Sequence, residues 1–313
     1  MDRATLTVAD VFRRYGDTDR AHMGPSLSMA HRRVMAAIEP CRTAALGGHV
    51  DQCDRCGHTR VWYNSGRNRH GPSCPSLARA AWIEDRTADL LDTEYVHVVF
   101  TVSQAIAEIA AQKKAVVYGI LFRATAETLR TIAADPRHLG AEIGFVAVLH
   151  TWGQTLLHHP HLHCVVPGGG LSPDGTRWIA CRSGFFLPVR VRSRLFRRLC
   201  VTALHDASED GHLRFTASLQ ALSDPHGFAN HLQPARTTAW VVYAKPPVAD
   251  PPQVLDDVGR YPHRVAISNR RLLDMDDGHV RFRDTDYRAD RSETPQTMTL
   301  AATAFMRRFL VHV

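Results

Sequence analysis

No stretch of the 313-residue chain approaches eighteen consecutive apolar residues, which argues against a helical membrane span. The N-terminus, MDRATLTVADVFRRYG, carries charges where a signal peptide would have its apolar stretch, so the sequence reads as soluble and cytoplasmic, with no membrane partner. Cysteine is scarce, with seven residues, an odd number. Without a secretion signal, that count argues against a disulfide framework. Internal repeats and low-complexity tracts are also missing, which removes solenoids and linker-like chains from consideration. The chain is otherwise ordinary enough to build a core, with 44% hydrophobic and 22% charged residues.

The net charge is +7 and the sequence pI is near 9.2, a balance that suits a polyanionic partner such as DNA. Nineteen histidines stand out, because imidazole is the commonest metal ligand and titrates nearest neutral pH. Hydrophobic periodicity predicts helix across residues 1–40, then a cysteine- and glycine-rich segment over 41–74, then a helix over 75–93. Tyr95 to Ser103 reads as a buried strand, and Gln104 to Ala134 as one helix. Gly144–Thr151 and His161–Pro167 read as a strand pair, with Gly168, Gly169 and Gly170 ending the second strand. A basic amphipathic helix is expected over 188–207, carrying Arg190, Arg192, Arg194, Arg197 and Arg198 either toward DNA or into solvent. Further on come a strand at 240–245, a short helix at 252–261, a hairpin around Asp276-Asp277-Gly278, and a helix from Met298. The length and the break after the cysteine segment suggest two domains, 1–93 and 94–313.

The sharpest local pattern is His161-Leu162-His163. On a strand, residues two apart face the same side, so both imidazoles project together while Leu162 and Cys164 point away. Such a pair can hold a divalent cation from one rigid element, although the H-x-H spacing alone also arises often by chance. Five histidines fall within the 14 residues from His150 to His163. The ring of His150 or the amide oxygen of Gln154 can supply a further ligand or orient the pair, while His158 and His159 suit a surface connection. A second pattern surrounds Tyr261, with Arg260, His263 and Arg264 beside it and Arg270 and Arg271 further on. Cations favour the ionised phenol and make it a usable nucleophile, and the arginines can hold phosphate oxygens. The third pattern is Cys53-Asp54-Arg55-Cys56, whose spacing suits one tetrahedral zinc, with His70 and Cys74 best placed to complete it and Cys41, His49 and His58 in reserve.

These pieces occur in an order that resembles the rolling-circle insertion-sequence transposases of the IS-ninety-one type, in the HUH nuclease superfamily. The stretches carrying the resemblance are CRTAALGGHVDQCDRCGHTRVWYNSGRNRH, YVHVVFTV, LHTWGQTLLHHPHLHCVVPGGGLSPDG and GRYPHRVAISNRRLL. The resemblance implies a small helical, zinc-binding N-terminal domain followed by an α+β, RRM-like nuclease domain with an antiparallel sheet flanked by helices. It further implies that His161 and His163 hold Mg²⁺ or Mn²⁺ and that Tyr261 attacks a scissile phosphate of single-stranded DNA to form a 5′-phosphotyrosine. Element ends and target DNA are then the partners, and the bacterial nucleoid the place of work. No oligomeric state follows from the sequence.

The sequence departs from the family pattern at several points. Asp257 stands where many members have another tyrosine; four residues before Tyr261, it shares a helix face with it and is placed to reach the metal. Gly66 and Gly71 stand where the family's S-C-R-N-R-H-C-P-x-C segment has cysteines, and the family usually continues past this C-terminus with a basic segment. The same nuclease core also serves replication initiators and relaxases, and a truncated, DNA-binding remnant without turnover is the other alternative.

Overall fold

The computed structural model describes residues 6–74, 76–182, 187–244, 266–286 and 294–313. The chain forms two compact units: Met1–Ala81 with Trp152–Leu157 and His263–Val313, and Trp82–Thr151 with His158–Pro262. Residues after 263 therefore gather with the N-terminal residues, a different partition from a single cut at 93/94.

The second unit is built on a four-stranded sheet in the order β4-β5-β3-β8, formed by β3 (Tyr95–Thr101), β4 (Val146–Trp152), β5 (His158–Pro167) and β8 (Val242–Ala244). Strands β3 and β5 run antiparallel, with Val99 opposite His163 and Thr101 opposite His161. Pro160 lies inside β5 but just before that ladder begins, so its missing N–H costs no bond to β3. One face of the sheet presents Val98, Phe100, Leu162, Cys164 and Val166 to a single hydrophobic core. Helices α4 (Gln104–Gln112), α5 (Lys114–Ala134), α6 (Val189–Glu209) and α7 (Pro225–Thr237) cover it with Ile106, Leu121, Phe196 and Phe228. Phe196 packs edge-on against both Phe100 and Trp240, at 4.9 and 5.3 Å between ring centroids. Full burial of each such ring contributes about 1.5–3 kcal/mol, which makes this layer the main source of the unit's stability.

The expected helix over 104–134 is two helices, because Lys113 leaves the helical region at φ −123°, ψ 48°. The helix over 188–207 forms as expected, but Arg192 is fully buried in it while Arg190, Arg194 and Arg198 face solvent. The three glycines after β5 do more than stop a strand. Gly169–Leu171 forms β6, paired with β7 (Trp178–Ala180). A Cβ on Gly169 would lie 2.5 Å from the Ile179 carbonyl oxygen, and one on Gly170 2.4 Å from that of Glu142, so only glycine permits these approaches.

In the first unit, α1 (Val8–Met23) opens with a capping box between Thr7 and Asp10, and α2 (Met29–Ile38) follows. The cysteine segment folds as an exposed antiparallel hairpin of β1 (Gly48–Gln52) and β2 (Thr59–Tyr63). A three-stranded sheet in the order β11-β10-β9 comes from β9 (Leu272–Asp276), β10 (His279–Asp286) and β11 (Thr294–Ala301). The expected hairpin forms with a two-residue loop in which Asp277 and Gly278 both have positive φ, 43° and 75°. The C-terminal helix begins at Ala302 rather than Met298. Its Phe309 packs on Phe12 of α1 at 5.3 Å, and its Phe305 on Phe282 of β10 at 5.8 Å. Among the described residues no helix is long and apolar enough to cross a membrane.

Candidate metal centre

The face of the sheet opposite the helices carries a small apolar patch of Tyr95, Val148 and Val165, and beside it the histidines. Strand alternation places them there. In β5 the odd-numbered residues His159, His161, His163 and Val165 share this face, in β4 the even-numbered Val148 and His150 do, and in β3 the odd-numbered Tyr95 and His97 do. His150, His161 and His163 each bring one ring nitrogen to within 4.8 Å of the other two, and among the described residues they are the group of metal-ligating side chains that converges in this way. The rings of His150 and His163 lie 3.8 Å apart between centroids, and His161 is 5.1 Å from His150 and 5.0 Å from His163. Nitrogen ligands about 2.1 Å from one ion can stand no more than about 4.2 Å apart, close to the spacing found here.

The electrostatics suit ligation. Burial pushes the His161 imidazole down to about 4, against a smaller opposing effect of its bond to the His159 carbonyl. His150 is held well below the usual imidazole range, first by burial and then by the neighbouring imidazoles. Both rings are therefore neutral at neutral pH, with a lone pair to offer. The His161 Nδ1 lies 2.7 Å from the His159 carbonyl oxygen, which can only accept, so Nδ1 carries the proton and Nε2 is the ligating nitrogen. His158 faces the other way: its Nδ1–H donates to the Ala107 carbonyl at 3.0 Å and its Nε2 accepts from the Tyr118 hydroxyl at 3.0 Å. It is a half-buried strand residue tied to two helices and not part of a surface loop.

The structure brings together some of the residues expected from the sequence and separates others. The third partner of His161 and His163 is His150. Gln154 sits in the 152–157 segment of the other unit, where its carbonyl accepts from the Arg271 guanidinium at 2.6 Å. Arg271 also donates to the Arg283 carbonyl at 2.8 Å and stacks over Phe282, which commits it to the fold, whereas Arg270 is exposed. Tyr261, Asp257, Arg260, Arg264 and the expected 252–261 helix lie outside the described residues.

Cys53, Cys56, His70 and Cys74 do not converge. Cys53 and Cys56 are exposed in the turn of the β1–β2 hairpin, at the end of strands of five residues, roughly 16 Å from its base. Cys74 instead meets Cys41, with their sulfurs 3.6 Å apart, while His70 is buried and contacts Arg69. A Cβ on Gly71 would lie 3.2 Å from the Cys74 sulfur and one on Gly66 3.7 Å from the Cys41 Cβ, so both glycines border this pair. The Cys41 thiol donates to Cys74, which lowers Cys74 to about 6 and pushes Cys41 up.

Residues 144–313 match the family described as "Putative transposase", and residues 11–102 match the "Transposase zinc-binding domain". All 313 residues align, at 66% identity, with the "Putative transposase y4qJ" of Sinorhizobium fredii, covering 78% of that protein. The transposase for insertion sequence element IS801 of Pseudomonas savastanoi pv. phaseolicola is 25% identical over 279 residues, which is 87% of this chain and 64% of the relative. Among solved structures, the conjugative relaxase TrwC in complex with oriT DNA is similar at a TM-score of 0.32 and 13% identity, over 85% of this chain and 98% of that one.

Proposed function

The chain belongs to the family of insertion-sequence transposases that carry a zinc-binding domain, and we propose that it cleaves and rejoins single-stranded DNA at element ends through a 5′-phosphotyrosine on Tyr261. The observation that carries this reading is the convergence of His150, His161 and His163 on the sheet face opposite the helices. Three imidazoles on two rigid strands fit a divalent cation, and such a cation supplies Lewis-acid polarisation of a phosphoryl oxygen. Nitrogen ligands accept Mn²⁺ more readily than Mg²⁺, so Mn²⁺ is the first cation to test.

In the proposed reaction the Tyr261 oxygen, having lost its proton, attacks the scissile phosphorus. An O–P bond to tyrosine forms, the P–O3′ bond breaks, and the leaving oxygen takes up a proton as a free 3′-hydroxyl. The 5′ side stays attached to Tyr261 as a phosphodiester. Attack by a 3′-hydroxyl on that linkage reverses the exchange, so bond energy is conserved and no nucleotide triphosphate is consumed. Arg260, Arg264 and the exposed Arg270 are proposed to hold backbone phosphates, whereas Arg271 is tied to carbonyl groups of its own unit. Work on element ends and target DNA places the protein with the nucleoid in the cytoplasm. The Cys41–Cys74 pair, with sulfurs near the roughly 3.8 Å edge of a tetrahedral zinc–thiolate site, is the part of the N-terminal region best suited to zinc.

The reading is tested by incubating the protein with labelled single-stranded element ends in Mn²⁺ or in EDTA and resolving the products on a denaturing gel. A Mn²⁺-dependent retarded band that Tyr261→Phe lacks is expected. DNA binding without any such band would mark a remnant whose fold has outlived its chemistry, and equal cleavage by Tyr261→Phe would move the nucleophile elsewhere.

A further inference from the structure

One further histidine touches this cluster without joining it. His97 lies on β3, in the run YVHVVFT whose even-numbered members Val96, Val98 and Phe100 are core residues. It is buried at 7% exposure, and a buried imidazole on a largely apolar strand must find a hydrogen-bond partner. The β3–β5 register sets Val99 opposite His163 and His97 opposite Val165, which puts His97 diagonally beside His163 on the same face. The His97 Nε2 is 2.7 Å from the His163 Nδ1, and the two rings lie nearly parallel, 4.9 Å apart with 29° between their planes.

We propose that His97 is a positioning residue that accepts a hydrogen bond from His163 Nδ1–H and thereby presents the His163 Nε2 lone pair to the centre formed with His150 and His161. Only one proton occupies this 2.7 Å contact, so its location decides what His163 can do. With the proton on His163 Nδ1, Nε2 carries a lone pair. With the proton on His97 Nε2, a neutral His163 would carry its proton on its own Nε2 and could not ligate. His161 already shows the required pattern, its Nδ1–H fixed by the His159 carbonyl. His97 supplies for His163 what the backbone supplies for His161, and its own remaining proton then sits on Nδ1. Outer partners of this kind fix tautomer and ring orientation, and their loss weakens metal binding by about 10- to 100-fold.

The inference rests on reading the three histidines as a cation site, and the experiment separates the two. Mn²⁺ binding would be measured by the loss of the free-ion paramagnetic resonance signal for wild type, His161→Ala, His97→Ala and His97→Gln. Imidazole ¹⁵N shifts of His163 would be recorded in the metal-free protein. Wild-type binding lost in His161→Ala supports the cation site itself. Binding weakened about 10- to 100-fold in His97→Ala, partly regained in His97→Gln through its amide oxygen, supports the positioning role. The wild-type shifts should report the Nδ1–H form of His163, and His97→Ala should shift the population toward Nε2–H. Affinity within twofold of wild type in His97→Ala, or an Nε2–H His163 in the wild type, overturns the role of His97 while leaving the site intact. A wild type that binds no Mn²⁺ overturns both.

Discussion

Replacing Leu162 and His161 by alanine, each alone, separates the two faces of one strand. Leu162 is 1% exposed and sits in the core between the sheet and its helices, with Phe100 beside it on β3. A Leu→Ala change at such a site loses the transfer free energy of the side chain and leaves a cavity, about 2–5 kcal/mol together. At roughly 2–4 °C per kcal/mol for a chain of this size, the melting temperature falls by roughly 4–20 °C. His161 points to the opposite face and removes nothing from that core, so in metal-free protein its replacement should cost less, about 1 kcal/mol. Adding Mn²⁺ raises the cost of His161→Ala into the range of that of Leu162→Ala. A cation at about a hundred times its Kd stabilises the folded state by about 2.7 kcal/mol, and this increment should persist in Leu162→Ala and vanish in His161→Ala. Urea unfolding followed by near-ultraviolet circular dichroism, with and without Mn²⁺, measures both quantities. A Mn²⁺ increment retained in His161→Ala, or a metal-free cost there equal to that of Leu162→Ala, would refute the assignment of the two faces.

The Cys41–Cys74 pair predicts a pH dependence. Cys74 has its folded value lowered from 9.0 to about 6, so its contribution is present above the unfolded value and lost as pH falls through 6. In metal-free, reduced protein the urea midpoint should therefore rise between pH 6 and about 9, and Cys41→Ser should flatten that rise; an unchanged slope would remove the thiol–thiolate contact. Thr7→Ala, which breaks the capping box of the first helix, should cost about 1 kcal/mol in the same assay. Gly278→Val forces a β-branched residue to a φ of 75° in the hairpin loop and should cost about 1–2 kcal/mol, whereas Asp277→Gly should be neutral or stabilising. Binding to single-stranded DNA should weaken with salt by about 0.7 decades per decade for each phosphate contacted, and Arg270→Ala should lower that slope by about one contact while Arg271→Ala lowers stability.

The histidine pair was legible because its information is local: a spacing of two on a strand fixes a shared face, although the strand begins at His158 and not after Pro160. The third member was not settled by the sequence. His150 joins the pair through the sheet order, which sets β4 beside β5. His97 escaped notice because it stands alone, 66 residues before His163, and becomes meaningful only through the β3–β5 register. Its one local signal was a histidine interrupting an otherwise apolar strand. The cysteine segment was only partly legible for a related reason. The C-x-x-C spacing suggested a site at Cys53 and Cys56, but a hairpin carries them away from Cys74, and the contact that forms is between Cys41 and Cys74, 33 residues apart. The sequence likewise offered Arg271 as a phosphate-holding residue and put Arg192 on a helix facing DNA or solvent, whereas Arg271 bonds to backbone carbonyls and Arg192 is buried in α6.

Mapping the residue that becomes joined to DNA tests the central claim most directly. Protein reacted with single-stranded element ends in Mn²⁺ would be digested with trypsin and nuclease, and the nucleotide-bearing peptide identified by mass spectrometry. The account predicts one modified peptide, carrying a 5′-phosphate on Tyr261, absent in EDTA and in His161→Ala. A phosphate on another residue, or a Tyr261 adduct formed equally well in EDTA and His161→Ala, would contradict it.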